Sequence, residues 1–430
     1  MKIKSLTKVF LFVAVAALFS CSSSDENNDG GNSGPSSISV TASSQFVDFG
    51  GTVTFTVKTN EGLDVTSEST ILVNSQAVAG NSFTATETGD YAVTATYGEL
   101  TSSAINVNVL PVLVGIEIVP NSTTYNVGDR VEFTVLGIDN DGNTSNITSG
   151  CDFIIDGNDA FTGNVVIPGA IGSITAYATF GEFTSQTETV TVTDNASTPG
   201  TYQKKALIED YTGTWCGYCP RVSYAIELSK EQSENVVAVG IHNGDPMANS
   251  FGSQMENAVN ITGFPTAYIN RSELWDFPEP SNVSQVTSKA NGVTNGGIAV
   301  NTAIKGNNLS FLVSAGFGEN ISGAKLVVFL LESGLVYNQT NYTTYYGGGA
   351  TINNFTHDHV LRHSFTSVLG DNISASDAVG GNTYRMKMDY VVPNNLVQNP
   401  SKIEIVAMLL DANGELINVN MAKAGEFSDF

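Results

Sequence analysis

Between residues 38 and 194 the chain is built from short runs in which apolar and polar positions alternate, rich in Thr, Val, Phe and Tyr and broken by Gly, Asn and Asp. A period of two places alternate side chains on opposite faces of a strand, so each run reads as a half-buried β-strand. The pattern occurs twice. "TVTFTV" at 52–57 returns as "RVEFTV" at 130–135, and "TYGELTS" at 96–102 returns as "TFGEFTS" at 179–185, in the same order. Two successive β-sandwiches are predicted, 38–110 and 111–194.

After a polar linker at 195–201 the period changes. Residues 203–211 read as a strand, 220–234 carry Val222, Ala225 and Ile226 at helical spacing, "VVAVGIH" at 236–242 is a continuous apolar run, and 249–261 is again helical. That order is βαβ grammar and predicts a parallel sheet with covering helices over 202–293. "FPTAYINR" and "ELWDF" read as an antiparallel pair, and a further helix is expected near 282–292. From 294 to 430 seven more strand-like runs predict a third sandwich. The 333–356 stretch, polar and aromatic with Gly347, Gly348 and Gly349, reads as a long loop of the kind that usually carries function. The expected fold class is multidomain: two all-β immunoglobulin-like sandwiches, one α/β domain and one C-terminal all-β sandwich.

The first residues read as a targeting segment. Lys2, Lys4 and Lys8 precede an apolar run from Val9 to Phe19, too short to span a bilayer, so 1–20 is expected to be a signal peptide. Leu18-Phe19-Ser20-Cys21 resembles the bacterial lipobox, which makes Cys21 the expected lipidation site and outer-membrane anchoring the expected location. Residues 21–37, short of apolar side chains, read as a flexible tether. Asp25-Glu26 is similar to the export signal of surface-exposed lipoproteins and tilts the expectation toward the cell surface over the periplasmic face.

Charge narrows the partners. The formal charge of −24 becomes −27 once the three signal lysines are removed, because residues 1–20 hold no acid. Nucleic acid and anionic membrane faces are thereby disfavoured. Beyond Cys21 only Cys151, Cys216 and Cys219 remain, so the cores rather than disulfides are expected to hold this exported chain together. Cys151 has no partner in its own repeat and reads as a buried thiol.

The candidate chemistry lies in Trp215-Cys216-Gly217-Tyr218-Cys219, where a strand hands over to a helix. The helix N-terminus favours a thiolate, so Cys216 suits the attacking nucleophile and Cys219 the resolving one. Pro220 is compatible with a first helical turn. A zinc site would need four ligands where this motif offers two, and a structural staple across so short a loop constrains the unfolded chain little. All three readings stay open at this point.

Here the chain resembles the thioredoxin superfamily over 202–293. The resemblance implies a thioredoxin-like domain in which Asp210, six positions before the first cysteine, relays the proton of Cys219, Pro265 in "GFPTAY" is a cis proline facing a Cys216–Cys219 disulfide, and Trp215, Tyr218 and Phe264 shape the substrate-docking surface. Cys-Gly-Tyr-Cys is also similar to the centre of the bacterial periplasmic disulfide isomerase. With "HDHVLRH" and "IVAMLLDANGELINVNMAKAG", residues 203–430 resemble the outer membrane protein 28-related family, which implies an outer membrane lipoprotein.

Other clusters read more plainly. "DNDGN" at 139–143 suits a hairpin turn better than a calcium loop. His357, His359 and His363 would share one face of a strand, which suits a solvent face better than a metal site. His242 reads as a polar strand end. The leading expectation is a lipid-anchored thiol-disulfide oxidoreductase or isomerase, without cofactor or metal, acting on cysteine-containing proteins with a thiol redox donor or acceptor. Its rival is a non-catalytic surface binding or adhesion lipoprotein in which the cysteine unit is scaffold.

Overall fold

The computed structural model describes residues 35–194 and 197–430. The expected signal peptide, Cys21 and most of the tether lie outside the described residues. The chain divides into two compact units, up to Val112 and from Leu113 onward.

In the first unit a three-stranded sheet and a six-stranded sheet face each other across Val53, Phe55, Val57, Ile71, Val93 and Val107. The alternation of the sequence becomes alternation of burial: in Thr52–Thr59 the odd-numbered positions Val53, Phe55 and Val57 are buried and the side chains between them point outward. The second unit opens with a sandwich of the same plan around Val131, Phe133, Val135, Phe153 and Val190.

The sequence repeat has a structural cause. The Ser102 hydroxyl accepts the Ala95 amide at 2.9 Å, and Ser185 accepts that of Ala178 at 3.0 Å. Thr66 and Thr148 likewise accept the Val57 and Val135 amides. Each is a side chain satisfying a backbone donor that the sheet ladder misses. Cys151 fits the same scheme: its thiol donates to the Ile147 carbonyl four residues back, as the Ser69 hydroxyl donates to Val65. The buried thiol is a serine-like strut, and burial pushes its pKa up.

Beyond residue 201 the expected α/β domain does not form as a unit. The principal strands are β1 (Ala206–Thr212), β2 (Val236–His242), β3 (Thr266–Ile269), β4 (Gly296–Lys305), β5 (Asn308–Phe317), β6 (Lys325–Glu332), β7 (Leu335–Thr340), β8 (Thr351–His357), β9 (Val360–Ser364), β10 (Thr383–Val391), β11 (Ile403–Leu410) and β12 (Leu416–Lys423). The helices are α1 (Pro220–Gln232), α2 (Ser250–Ala258) and α3 (Val283–Thr287), of 13, 9 and 5 residues. Strands β3, β1 and β2 continue through β9 into β6, β11 and β12, and these seven with two short strands form one nine-stranded mixed sheet. The junction is the Gly240–Val360 pair, where the Gly240 amide donates to the His359 carbonyl at 2.8 Å.

One face of this sheet is covered by α1 and α3 over β1–β3 and by the β10-β5-β4 sheet over β6 and β11. The other face forms a single core running from Leu207 and Val239 through Met255 of α2 to Phe329 and Met408. A core shared across the supposed boundary is the physical reason the α/β and C-terminal regions are not separate domains, and the described chain is overwhelmingly β. This corrects the expected fold class: there is no separate thioredoxin-like α/β domain and no independent C-terminal sandwich. The second sandwich also joins this body, through Arg130 to the Thr302 carbonyl, Asn301 to the Gly128 carbonyl, and Val165 and Ile167 packed on Ala303 and Leu312.

Candidate functional site

β1 and β2 lie side by side in parallel, every residue buried, because helices and strands cover both faces. Where β1 ends, residues 213–218 turn into α1. Cys219 is the residue before the helix and Pro220 its first, where no amide is needed. Gly213 is required at the turn: a β-carbon there would lie 2.9 Å from the Asn243 carbonyl oxygen and 2.7 Å from the Trp215 indole nitrogen. That indole donates to the Asn243 carbonyl at 2.7 Å.

Cys216 and Cys219 are joined in a disulfide with Cα atoms 5.4 Å apart, and they are 4% and 1% exposed. Around it Trp215 and Tyr218 are about half exposed, at 48% and 54%. Phe264 meets Trp215 edge to face at 5.4 Å, and the Phe264–Pro265 peptide, just before β3, is cis.

The 333–356 stretch is a hairpin rather than a loop. β7 and β8 pair with each other, and the turn between them is laid over the cysteine loop. The Thr340 amide donates to the Thr214 carbonyl at 2.8 Å and the Tyr342 amide to the Gly217 carbonyl at 2.7 Å. The buried Gln339 amide donates to the carbonyls of Cys216, at 2.9 Å, and Gly213, at 3.2 Å. Rings finish the seal: Tyr342 on Tyr218, Tyr345 stacked on Tyr224, and Tyr346 donating to Glu227 at 2.7 Å. Gln339 and Tyr342 are not readable as site residues in the sequence, where the stretch shows only its length, its polar and aromatic content and its three glycines.

Asp210 sits on the α1 face of β1, buried, with its Oδ1 lacking a partner within the chain. Burial, reinforced by the charge of Glu279 and opposed by Arg221, pushes its pKa up to about 8. Arg221 and Glu279 form a buried ion pair beside it, with Arg221 over the Phe277 ring at 4.6 Å.

The three histidines do not share a face. His357 ends β8, His359 turns the chain with φ +58°, and His363 lies on β9. His363 stacks on Tyr390, while His359 meets Lys230 through Nε2 and Glu404 through Nδ1, the latter at 2.6 Å. His357 faces His242 with ring centroids 5.2 Å apart and leaves its Nε2 unpartnered within the chain. Burial, then the charge of His242, lowers the His357 pKa to about 4, against the pull of Asp245. His242 is held by Asp245 at 2.7 Å, whose carboxylate also accepts the Thr214 amide. Burial raises the Asp245 pKa, but these hydrogen bonds and the His242 charge outweigh it and hold the carboxyl below its ordinary value. Among the described residues no group of three or more ligating side chains is placed to hold a metal ion.

α1, the α1 face of β1 and β2, and β8 enclose a cavity of about 250 Å³. Asp210, Thr212, Ser223, Glu227, Phe355 and His357 are among its walls.

Residues 252–428 match the family model of outer membrane protein Omp28, a span that begins inside α2 and so includes the hairpin but neither cysteine of the disulfide. No curated protein matches the chain. Among solved structures it is similar to HBP35 of Porphyromonas gingivalis, at 19% identity and TM-score 0.42 over 52% of this chain and 76% of that one. It is also similar to domains 5–6 of the S-layer protein SbsC, at 17% identity and TM-score 0.17 over 37% of this chain and 98% of that one. Fibronectin(III)-like modules of Clostridium thermocellum CbhA match at 15% identity and TM-score 0.18, over 36% of this chain and 93% of theirs.

Proposed function

We propose that this chain is an outer-membrane-associated protein with a binding or structural role, in which the Cys216–Cys219 unit is a closed scaffold. The observation that carries the reading is the seal over the disulfide. Attack on a disulfide needs an open line to one sulfur, and here both cysteines are buried while the carbonyls of Gly213, Thr214, Cys216 and Gly217 are bonded to the chain's own hairpin. The Omp28 match supports the location. Lipid at Cys21 would fix the chain to the membrane, with the cell surface the favoured side.

A second reading is thiol-disulfide exchange with cysteine-containing proteins, favoured by a disulfide at a helix N-terminus six residues after a buried Asp210. Trapping separates the two. With Cys219→Ser expressed in the exporting host, the closed-scaffold reading expects no mixed disulfide on Cys216 beyond the level of a Cys216→Ser, Cys219→Ser control. Discrete trapped proteins on Cys216 would establish the exchange reading instead.

A further inference from the structure

We propose that the cavity between α1, β1, β2 and β8 is a binding site for one small, uncharged polyhydroxy molecule of about monosaccharide size. The inference deepens the binding reading above and rests on it. Its basis is the pair of unpaired polar atoms in the cavity wall. Asp210 and His357 are 4% and 7% exposed, and Asp210 Oδ1 and His357 Nε2 have no partner within the chain. A buried polar atom without a partner is costly, on the order of 1–3 kcal/mol, so two such atoms around one cavity point to a molecule that completes them.

The wall chemistry selects the class. The charged groups of the lining are already engaged: Glu227 with the Tyr346 hydroxyl, Lys230 with His359, His359 with Glu404, and Asp358 with the Gly334 amide. His242, beside His357, is taken by Asp245. The lining residues include a carboxyl held protonated at neutral pH by burial, an imidazole held neutral by burial, and two hydroxyl residues, Thr212 and Ser223. A hydroxyl both donates and accepts, so it satisfies a neutral carboxyl and a neutral imidazole without moving a proton. An anion would meet Glu227 and Asp358, and a cation would sit against Lys230. Phe355 and Ile226 supply apolar wall for the carbon face of a ring, and a volume of about 250 Å³ holds one such ring rather than a chain.

The test is calorimetric titration of the intact mature protein with D-glucose, N-acetyl-D-glucosamine and myo-inositol, with glucuronate and glucosamine as charged counterparts. The expected result is saturable binding of at least one neutral probe and weaker binding of its charged counterpart. Asp210→Asn should keep binding, while Asp210→Leu and His357→Phe should each weaken it at least about tenfold. Ser223→Phe, which fills the cavity from α1, should abolish it, and it tests the same point by volume alone if a polar variant fails to fold. Binding of no neutral probe means a water-filled cavity and overturns the inference, as does binding that survives Asp210→Leu and Ser223→Phe. Either failure, with the disulfide still closed to exchange, leaves the binding reading standing on its own; trapped partners on Cys216 would remove that reading instead.

Discussion

The Tyr342 amide donates to the Gly217 carbonyl at 2.7 Å, and its ring lies where a β-carbon on Gly217 would come within 2.3 Å of a ring carbon. The middle of the Cys-Gly-Tyr-Cys loop is thus shaped to receive the hairpin, and glycine is required there for close approach rather than for backbone freedom.

Gly217→Ala is expected to lift Tyr342 off the cysteine loop. Overpacking of this kind costs about 1–3 kcal/mol, and the thermal unfolding midpoint should fall accordingly. The same variant should let dithiothreitol reach the disulfide faster, read by mass spectrometry of alkylated Cys216.

Gln339→Ala removes a buried amide that donates to the carbonyls of Gly213, Cys216 and Thr340. Leaving these acceptors unmet should cost about 1–3 kcal/mol in a denaturant titration. Gln339→Glu, which can only accept when ionised, is expected to be worse at pH 8 than at pH 5.

A fragment spanning 202–293 should not fold. Its Leu207, Val239 and Met255 share one core with Phe329, Leu361 and Met408 from beyond the cut. Far-UV circular dichroism and amide exchange should show an unprotected chain, whereas 202–430 should keep a cooperative transition. A protected, cooperatively unfolding 202–293 would restore an independent α/β domain.

Asp210 and His357 give opposite pH dependences. The folded pKa of Asp210 is raised from 3.8 to about 8, so between those values the native state holds a proton the unfolded chain has lost, and stability falls as pH rises. The folded pKa of His357 is lowered from 6.5 to about 4, so in that window the unfolded chain binds the extra proton and stability rises with pH. The two slopes oppose each other from pH 4 to 6.5, and the Asp210 slope acts alone from 6.5 to 8. Compared with wild type, Asp210→Asn should flatten the fall up to pH 8, by at most about 1.4 kcal/mol per pH unit, in unfolding titrations across the range.

Local physics was legible in the sequence where it repeats or where burial is continuous. The "TYGELTS" and "TFGEFTS" copies carry Ser102 and Ser185, each accepting the same amide of its own repeat. "VVAVGIH" announced a strand covered on both faces, and β2 is one. The strand that lies beside β2 was not legible, because Val360 comes more than a hundred residues later and nothing local to Gly240 names it. The hairpin escaped for a related reason: its Thr, Asn, Gln and Tyr positions are matched to carbonyls and rings of the cysteine loop rather than to an apolar period. The histidine run misled because its even spacing assumes an unbroken strand, and the turn at His359 uses a left-handed residue without the usual glycine. Asp210 was legible as a buried acid, but the cavity beside it needs His357 and Phe355 from β8.

The closed-scaffold account is tested most directly by the rate at which dithiothreitol opens the Cys216–Cys219 disulfide in the native protein, with alkylated Cys216 scored apart from Cys151. The account predicts slow opening in the wild type and markedly faster opening in Gly217→Ala, where the hairpin is displaced. Wild-type opening as fast as in that variant, with catalytic reduction of insulin by the wild-type protein, would contradict it and make the site a working redox centre.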